Sequence, residues 1–219
     1  RWYWCGIEAV PLEKRKRRAQ STRAGFTAEV EPPDPHLQIG VDVQALSKQY
    51  SNGKVALDHV SVQFFRNQIT AFLGHNGAGK TTLISILTGI IPPSSGGAWI
   101  DGRDIRYDMP AIRSRLGICP QYNVLWDELT VWEHLTFYGR MKAARLKDVV
   151  TESNRMIRHL GLPHRRHAFP PQLSGGMQRK LSVALAFLGN STTVFLDEPT
   201  SGVDPHSRRS IWKLLLQYK

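Results

Sequence analysis

Apolar and polar residues alternate along "VDVQAL" (residues 41–46) and "LDHVSVQFF" (residues 57–65). A period of two predicts half-buried strands. The run "ITAFL" (residues 69–73) is apolar without alternation, which predicts a strand buried on both faces. It leads into "GHNGAGKTTL" (residues 74–83) and a short helix over residues 80–88 that Gly89 ends. "IPPSSGG" (residues 91–97) predicts a turn. A second helix begins at "LTVWEH", where Thr130 and Glu133 have the spacing of a capping box. A third covers about residues 149–160, stopped by Gly161. "SGGMQRKLSVALAFLG" sets Met177, Leu181, Ala184, Leu185 and Leu188 on one helical face. "TVFL" (residues 193–196) predicts another buried strand, followed by Asp197 and Glu198, and Pro205 opens a last helix with Ile211, Leu214 and Leu215 on its apolar side. No internal repeat is visible. Strand, loop, helix, helical insertion, helix, strand and helix in that order describe an α/β domain carrying a helical subdomain.

Residues 1 to about 36 differ from the rest. They open on Trp2, Tyr3 and Trp4, pass through "KRKRR" (residues 14–18) and close on "EPPDPH" (residues 31–36), which predicts a linker. The whole chain of 219 residues is 41% hydrophobic and 21% charged, ordinary for a globular protein. No apolar run approaches the length of a membrane span, and residues 1–10 lack the unbroken apolar core of a secretory leader. Cys5 and Cys119 are too few for a disulfide framework and are expected to be reduced. A net charge of +11 calls for a polyanion: nucleic acid, nucleotide phosphates or an anionic membrane surface. Taken alone, the basic run reads first as a solvated linker and second as a juxtamembrane cluster.

The chemistry concentrates in three places. Residues 74–81 fit G-x-x-x-x-G-K-[ST] between an apolar strand and a helix. Gly74, Asn76, Gly77 and Gly79 let backbone amides face phosphate oxygens, and the helix aims its positive end at them. Lys80 reaches the β- and γ-phosphates, the Thr81 hydroxyl ligates Mg²⁺, and Thr82 joins the candidate contacts. Such a loop needs a carboxylate at the end of a neighbouring parallel strand. Asp197 supplies it for the metal, and Glu198 is placed as general base on the attacking water. "LSGGMQ" contributes Ser174, Gly175, Gly176 and Gln178 at a second helix start, another anion nest. One nucleotide does not need two nests, so this one is expected to meet the γ-phosphate of a nucleotide held by another copy, in a head-to-tail dimer.

With these motifs the chain resembles an ATP-binding cassette domain from about Leu37 to Lys219. The resemblance implies a P-loop NTPase fold: a RecA-like core, an antiparallel β-subdomain and an inserted helical subdomain at about residues 122–188. It implies Tyr50 as the aromatic that stacks on adenine, Gln121 as the Q-loop residue sensing Mg²⁺ and γ-phosphate, and Asp204 as the D-loop aspartate. Asp204 also reads as a helix N-cap before Pro205. "FLGHNGAGKTT", "CPQYNVL" and "GVDPHSRRSIW" are similar to subfamily A, the lipid-moving transporters, and "LSGGMQ" resembles that subfamily's first cassette. Trp126 and Trp132 depart from its pattern. "RWYWCG" resembles the segment after the sixth membrane helix, which turns "KRKRR" toward the juxtamembrane reading. The family continues past residue 216 with further strands and a switch histidine, so a sheet ending at Lys219 would be short of strands; His206 is no substitute. The resemblance implies an ATP- and Mg²⁺-dependent ATPase on the cytosolic face of a membrane, partnered by a second cassette and membrane domains. Alternatives are a soluble cassette ATPase, for which no nucleic-acid-binding insert is visible, and a regulatory cassette that hardly hydrolyses.

Overall fold

A computed structural model of the protein describes residues 2–5, 36–142 and 145–218. In chain order the strands and helices are β1 (Trp2–Cys5), β2 (Ile39–Gln49), β3 (Val55–Phe65), β4 (Ile69–Thr70), α1 (Lys80–Leu87), β5 (Ser95–Ile100) and β6 (Arg103–Asp104). They continue with α2 (Met109–Arg113), β7 (Leu116–Cys119), α3 (Val131–Met141), α4 (Leu146–His159), α5 (Gly175–Phe187), β8 (Thr193–Leu196) and α6 (Pro205–Tyr218). "KRKRR" and most of the proline-rich stretch lie outside the described residues.

The strands form two sheets. β3-β2-β5-β6 is antiparallel, and β4-β1-β8-β7 is parallel at every pairing. This is the α/β architecture that the element order describes, with the antiparallel layer that the resemblance implies.

β8 shows how the layers are held apart. All four of its residues are buried. Val194 and Leu196 join one apolar cluster with Leu181, Ile211 and Leu215, while Phe195 joins a second with Val41, Leu46, Leu83 and Ile86. Because side chains alternate across a strand, one four-residue strand serves as the wall between two cores. On one side α5 and α6 pack; on the other lies α1 with the antiparallel sheet.

Several sequence expectations change. "ITAFL" is not buried on both faces: only Ile69 and Thr70 are strand, Ala71 is exposed and Leu73 is 64% exposed. β4 is the edge of its sheet, and an edge strand is not enclosed as an interior one is. The last residues of "IPPSSGG" are strand, because Ser95 already opens β5. Trp2–Cys5, assigned to the linker by composition, has its backbone paired in parallel with both β4 and β8. Aromatic-rich segments favour strands, and the facing edges of β4 and β8 offer unpaired backbone groups. The loop-bearing strand and the acidic-pair strand are therefore one strand apart instead of adjacent.

The helical insertion begins with a satisfied cap. Thr130 accepts from Glu133 N, and the Glu133 carboxylate accepts from Thr130 N at 2.7 Å. The helix ends on Gly89 and Gly161 are also as expected, with φ of 70° and 69°. His134 in α3 is fully buried. Its Nδ1–H donates to Thr130 O at 2.9 Å, leaving Nε2 to accept from Trp126 N at 3.0 Å. Only the neutral ring makes both bonds, and burial holds its pKa below the ordinary value of 6.5. Gly117 in β7 lies so close to α5 that a Cβ would stand inside the contact radius of Ala186 O.

Two outcomes test this packing. A histidine with a depressed folded pKa binds fewer protons than in the unfolded chain, so stability rises with pH through the window just below 6.5 and is lost on acidification. The unfolding free energy from urea titration should fall by up to about 1.4 kcal/mol per pH unit of acidification there, and His134→Gln should flatten that slope; an unchanged slope would exclude His134 as its source. Gly117→Ala should lower stability by about 1–3 kcal/mol in the same assay.

Candidate active site

The loop of residues 74–79 joins β4 to α1 and is built around backbone. Gly79 caps α1 with φ of 88°, and a Cβ there would collide with Ala56 O and the Leu57 side chain of β3. Glycine alone lets the loop lie against that strand. Gly77 has φ of 81° with open space about it. No side chain caps the start of α1, and no acidic residue sits in its first turn. Its first amides thus keep their positive end for an anion.

Lys80 is 9% exposed, and its Nζ donates to Gly74 O at 2.7 Å and His75 O at 3.2 Å. The ammonium closes the loop on itself, and Asn76 stands exposed at the tip. Thr81 Oγ1 donates to Asp197 Oδ2 at 2.9 Å, so two residues 116 positions apart meet. Asp197 is buried, and desolvation pushes its carboxyl pKa up; the Thr81 hydroxyl opposes this, Glu198 adds to it, and Lys80 and Arg179 draw it down. A buried carboxylate beside a hydroxyl, with its charged form unfavoured by desolvation, fits a divalent cation, which restores that charge.

Gln121 follows β7, and its Nε2 donates to Glu198 Oε2 at 2.9 Å. Gln121 therefore rests on Glu198, and the hydroxyl at Asp197 comes from Thr81. Glu198 itself has φ of 45°, left-handed backbone that a non-glycine residue adopts at a cost. Tyr50 is 38% exposed just after β2, its hydroxyl 3.3 Å from Thr82 Oγ1 and its ring 5.6 Å from Lys48 Nζ. It borders the first turn of α1.

The second nest is a separate surface. Ser174 caps α5 by accepting from Met177 N at 3.3 Å, and a Cβ on Gly175 would meet nothing within 4 Å. Gly176 is different: a Cβ there would strike Ser207 and Asp204 at the start of α6. Asp204 Oδ1 accepts from Ser207 N at 2.9 Å, and that backbone N–H, followed by the Ser207 hydroxyl, holds its carboxyl below the usual carboxylate range. Asp204 thus has the geometry of an N-cap. Gln178 faces away from the open nest, donating to Pro170 O at 2.9 Å and Leu173 O at 3.4 Å. His206 is exposed on the first turn of α6.

Two features escaped the pattern reading. Arg179 in α5 is only 3% exposed, and helical periodicity puts no charge in a core. Trp126 stacks on His134 and Tyr138 at 6.0 and 5.7 Å and meets Phe137 edge-on at 5.2 Å, while Arg166 lies 5.1 Å over the Trp132 ring. The two tryptophans are thereby fixed within the helical subdomain.

Among known proteins, the family model described as ABC transporter matches residues 57–201. ATP-binding cassette sub-family A member 2 of Homo sapiens is 48% identical over 100% of this chain and 9% of its own length. The phospholipid-transporting ATPase ABCA7 of Homo sapiens is 50% identical over 100% of this chain and 10% of its own. The retinal-specific phospholipid-transporting ATPase ABCA4 of Mus musculus is 47% identical over 99% of this chain and 10% of its own. The chain thus spans about a tenth of the curated relatives it matches. Among solved structures, an ATP-binding subunit of an ABC transporter superposes with a TM-score of 0.73 at 28% identity, covering 82% of this chain and 75% of that one. CbiO1 of Clostridium perfringens gives 0.73 at 29%, covering 82% and 73%. A match that runs from β3 through the phosphate loop to the acidic pair, with relatives about half identical over the length of this chain, makes the chain a nucleotide-binding domain of the ABC transporter family.

Proposed function

We propose that this chain is the ATP-hydrolysing cassette of a subfamily A transporter that moves lipids or lipid-like amphipaths. The observation that carries the catalytic part is the meeting of Thr81 with Asp197 and of Gln121 with Glu198 beneath the glycine loop. Lipid as cargo rests on the relatives named phospholipid-transporting ATPases. We propose residues 37–219 as the nucleotide-binding unit, with Trp2–Cys5 paired into its parallel sheet, and the rest of residues 1–36 as the basic lead toward the membrane part.

ATP is the substrate. The amides of residues 74–79 and the start of α1 receive its phosphates, and Lys80 exchanges the carbonyls of Gly74 and His75 for phosphate oxygens. Tyr50 stacks on adenine. Thr81 and Asp197, with Gln121 after it leaves Glu198, would hold Mg²⁺, which when bound neutralises charge on the phosphate oxygens. Glu198 accepts a proton from the attacking water. The open nest of Ser174, Gly175 and Gly176 serves a nucleotide on a second cassette, so two chains arranged head to tail share two sites, with Asp204 near the seam.

The membrane part has a candidate seat. Tyr122, Trp126, Phe137 and Met141 are 73%, 41%, 43% and 67% exposed on and beside α3, an apolar surface suited to the cytosolic ends of membrane helices. Among the described residues no helix is long and apolar enough to cross a membrane. The +11 charge then faces anionic lipid headgroups; nucleic acid is not expected as a partner.

The test is ATP hydrolysis by the full-length transporter in lipid vesicles. Lys80→Ala should weaken nucleotide binding about tenfold to a hundredfold, equivalent to losing one or two charge-assisted hydrogen bonds. Glu198→Gln should keep binding and lower turnover about 10²–10⁴-fold; wild-type turnover in that variant, with the partner cassette disabled, would sink the base assignment. Ser174→Arg should leave binding at this chain's own loop intact and prevent dimer closure. Loss of nucleotide from an isolated Ser174→Arg monomer would refute the shared-site arrangement.

A further inference from the structure

Arg179 grips the loop after β7 and the loop after β8 together. It projects from α5, five positions after the cap Ser174, and is 3% exposed. Its Nε donates to Pro199 O at 3.0 Å. Nη2 donates to Asp197 O at 3.0 Å and Glu198 O at 2.9 Å. Nη1 donates to Pro120 O at 2.7 Å and Asn123 Oδ1 at 3.4 Å. Every N–H of the guanidinium is engaged, and every acceptor is neutral. A buried cation hydrogen-bonded to no carboxylate is an expensive way to fill a core, and an apolar side chain would pack there at less cost. The expense has a visible return in geometry.

Three consecutive carbonyls, from Asp197, Glu198 and Pro199, converge on the guanidinium. The middle residue has φ of 45°. Strained backbone persists only where its surroundings over-determine it, and Arg179 supplies that determination at Glu198. From its other edge it holds Pro120 O, next to Gln121, whose amide meets the Glu198 carboxylate. The residues on either side of that contact are thus tied to one planar, rigid group. The same helix begins at the open nest of Ser174 and Gly175.

We propose that Arg179 is a positioning residue for hydrolysis: it sets the backbone of Glu198 and the loop of Gln121 in register with each other, and it links both to α5. Movement of α5 when a phosphate seats at its N-terminus is thereby passed to the base of this chain's own site. The proposal rests on the ATPase reading above. Among the described residues Arg179 donates to the carbonyls of residues 120 and 197–199 and to Asn123 Oδ1, and to none of residues 74–81, so its removal is expected to act on turnover more than on nucleotide affinity.

The experiment is steady-state ATP hydrolysis and equilibrium binding of a fluorescent ATP analogue by the full-length transporter in vesicles, wild type against Arg179→Met and Arg179→Lys. Arg179→Met fills the space without donors and should lower kcat about a hundredfold, the effect of a misplaced catalytic group, while analogue affinity stays within about twofold. Arg179→Lys keeps the charge with a less rigid donor set and should give an intermediate kcat at the same affinity. Wild-type kcat in a folded Arg179→Met protein overturns the proposal, as does a parallel loss of affinity and kcat, which marks a merely structural residue. If the methionine variant does not fold, the lysine variant decides: wild-type kcat overturns the proposal, and lowered kcat at unchanged affinity supports it. Absence of hydrolysis by the wild-type transporter refutes the ATPase reading instead, a result distinct from all of these.

Discussion

The hydrogen bond from Thr81 to Asp197 joins the phosphate loop to the far side of the parallel sheet, and the rest of the site is arranged around the strand that makes it possible. Asp197 leaves β8, whose residues are buried on both faces and divide the two apolar clusters. A strand enclosed in this way has no freedom to slide, since a one-residue slip would turn Phe195 into the core of Val194 and Leu196. The carboxylates after it inherit that rigidity. α1, packed by Leu83, Ile84, Ile86 and Leu87 against the other side, holds Thr81 opposite. The placing of these carboxylates opposite Thr81 is a consequence of core packing.

Around that contact the polar groups satisfy one another: Lys80 lies on loop carbonyls, Gln121 on Glu198, and Thr81 on Asp197. Each bond joins groups that the proposed chemistry needs elsewhere, so ligand binding exchanges internal partners for phosphate and metal. Such an exchange moves little free energy in either direction, because the groups are not left unpaired before or after. It also gives the site a resting arrangement in which Glu198 is held by Gln121. The strain at Glu198 lies at the centre of this exchange.

Electrostatics point the same way. The chain is strongly basic, yet the buried ionisable groups at the site are balanced locally: desolvation raises the Asp197 pKa while Lys80 and Arg179 draw it down. Away from the site, Lys142 is pushed down to about 8 by burial, with Nζ on Leu116 O and Ser191 Oγ. It ties the end of α3 to the sheet and has no chemistry in the site. The aromatic group around Trp126 completes the helical subdomain by the same logic, with buried His134 fixing a loop through both ring nitrogens.

Much of this was legible in one dimension because it depends on local geometry. A glycine loop before Lys80, the Thr130 and Glu133 cap, the glycine stops at Gly89 and Gly161 and the buried run of β8 follow from backbone sterics, capping and side-chain alternation. Those rules operate over a few residues. What tertiary structure alone decided involves partners far apart in the chain: the exposure of Leu73 on an edge strand, the backbone of Trp2–Cys5 between β4 and β8, and Arg179 beneath the acidic pair. Apolar periodicity assigns a face to each residue, but it carries no information about which carbonyls will converge on that face. A buried guanidinium is stable only where such acceptors have already been brought together, and only the folded chain brings them there.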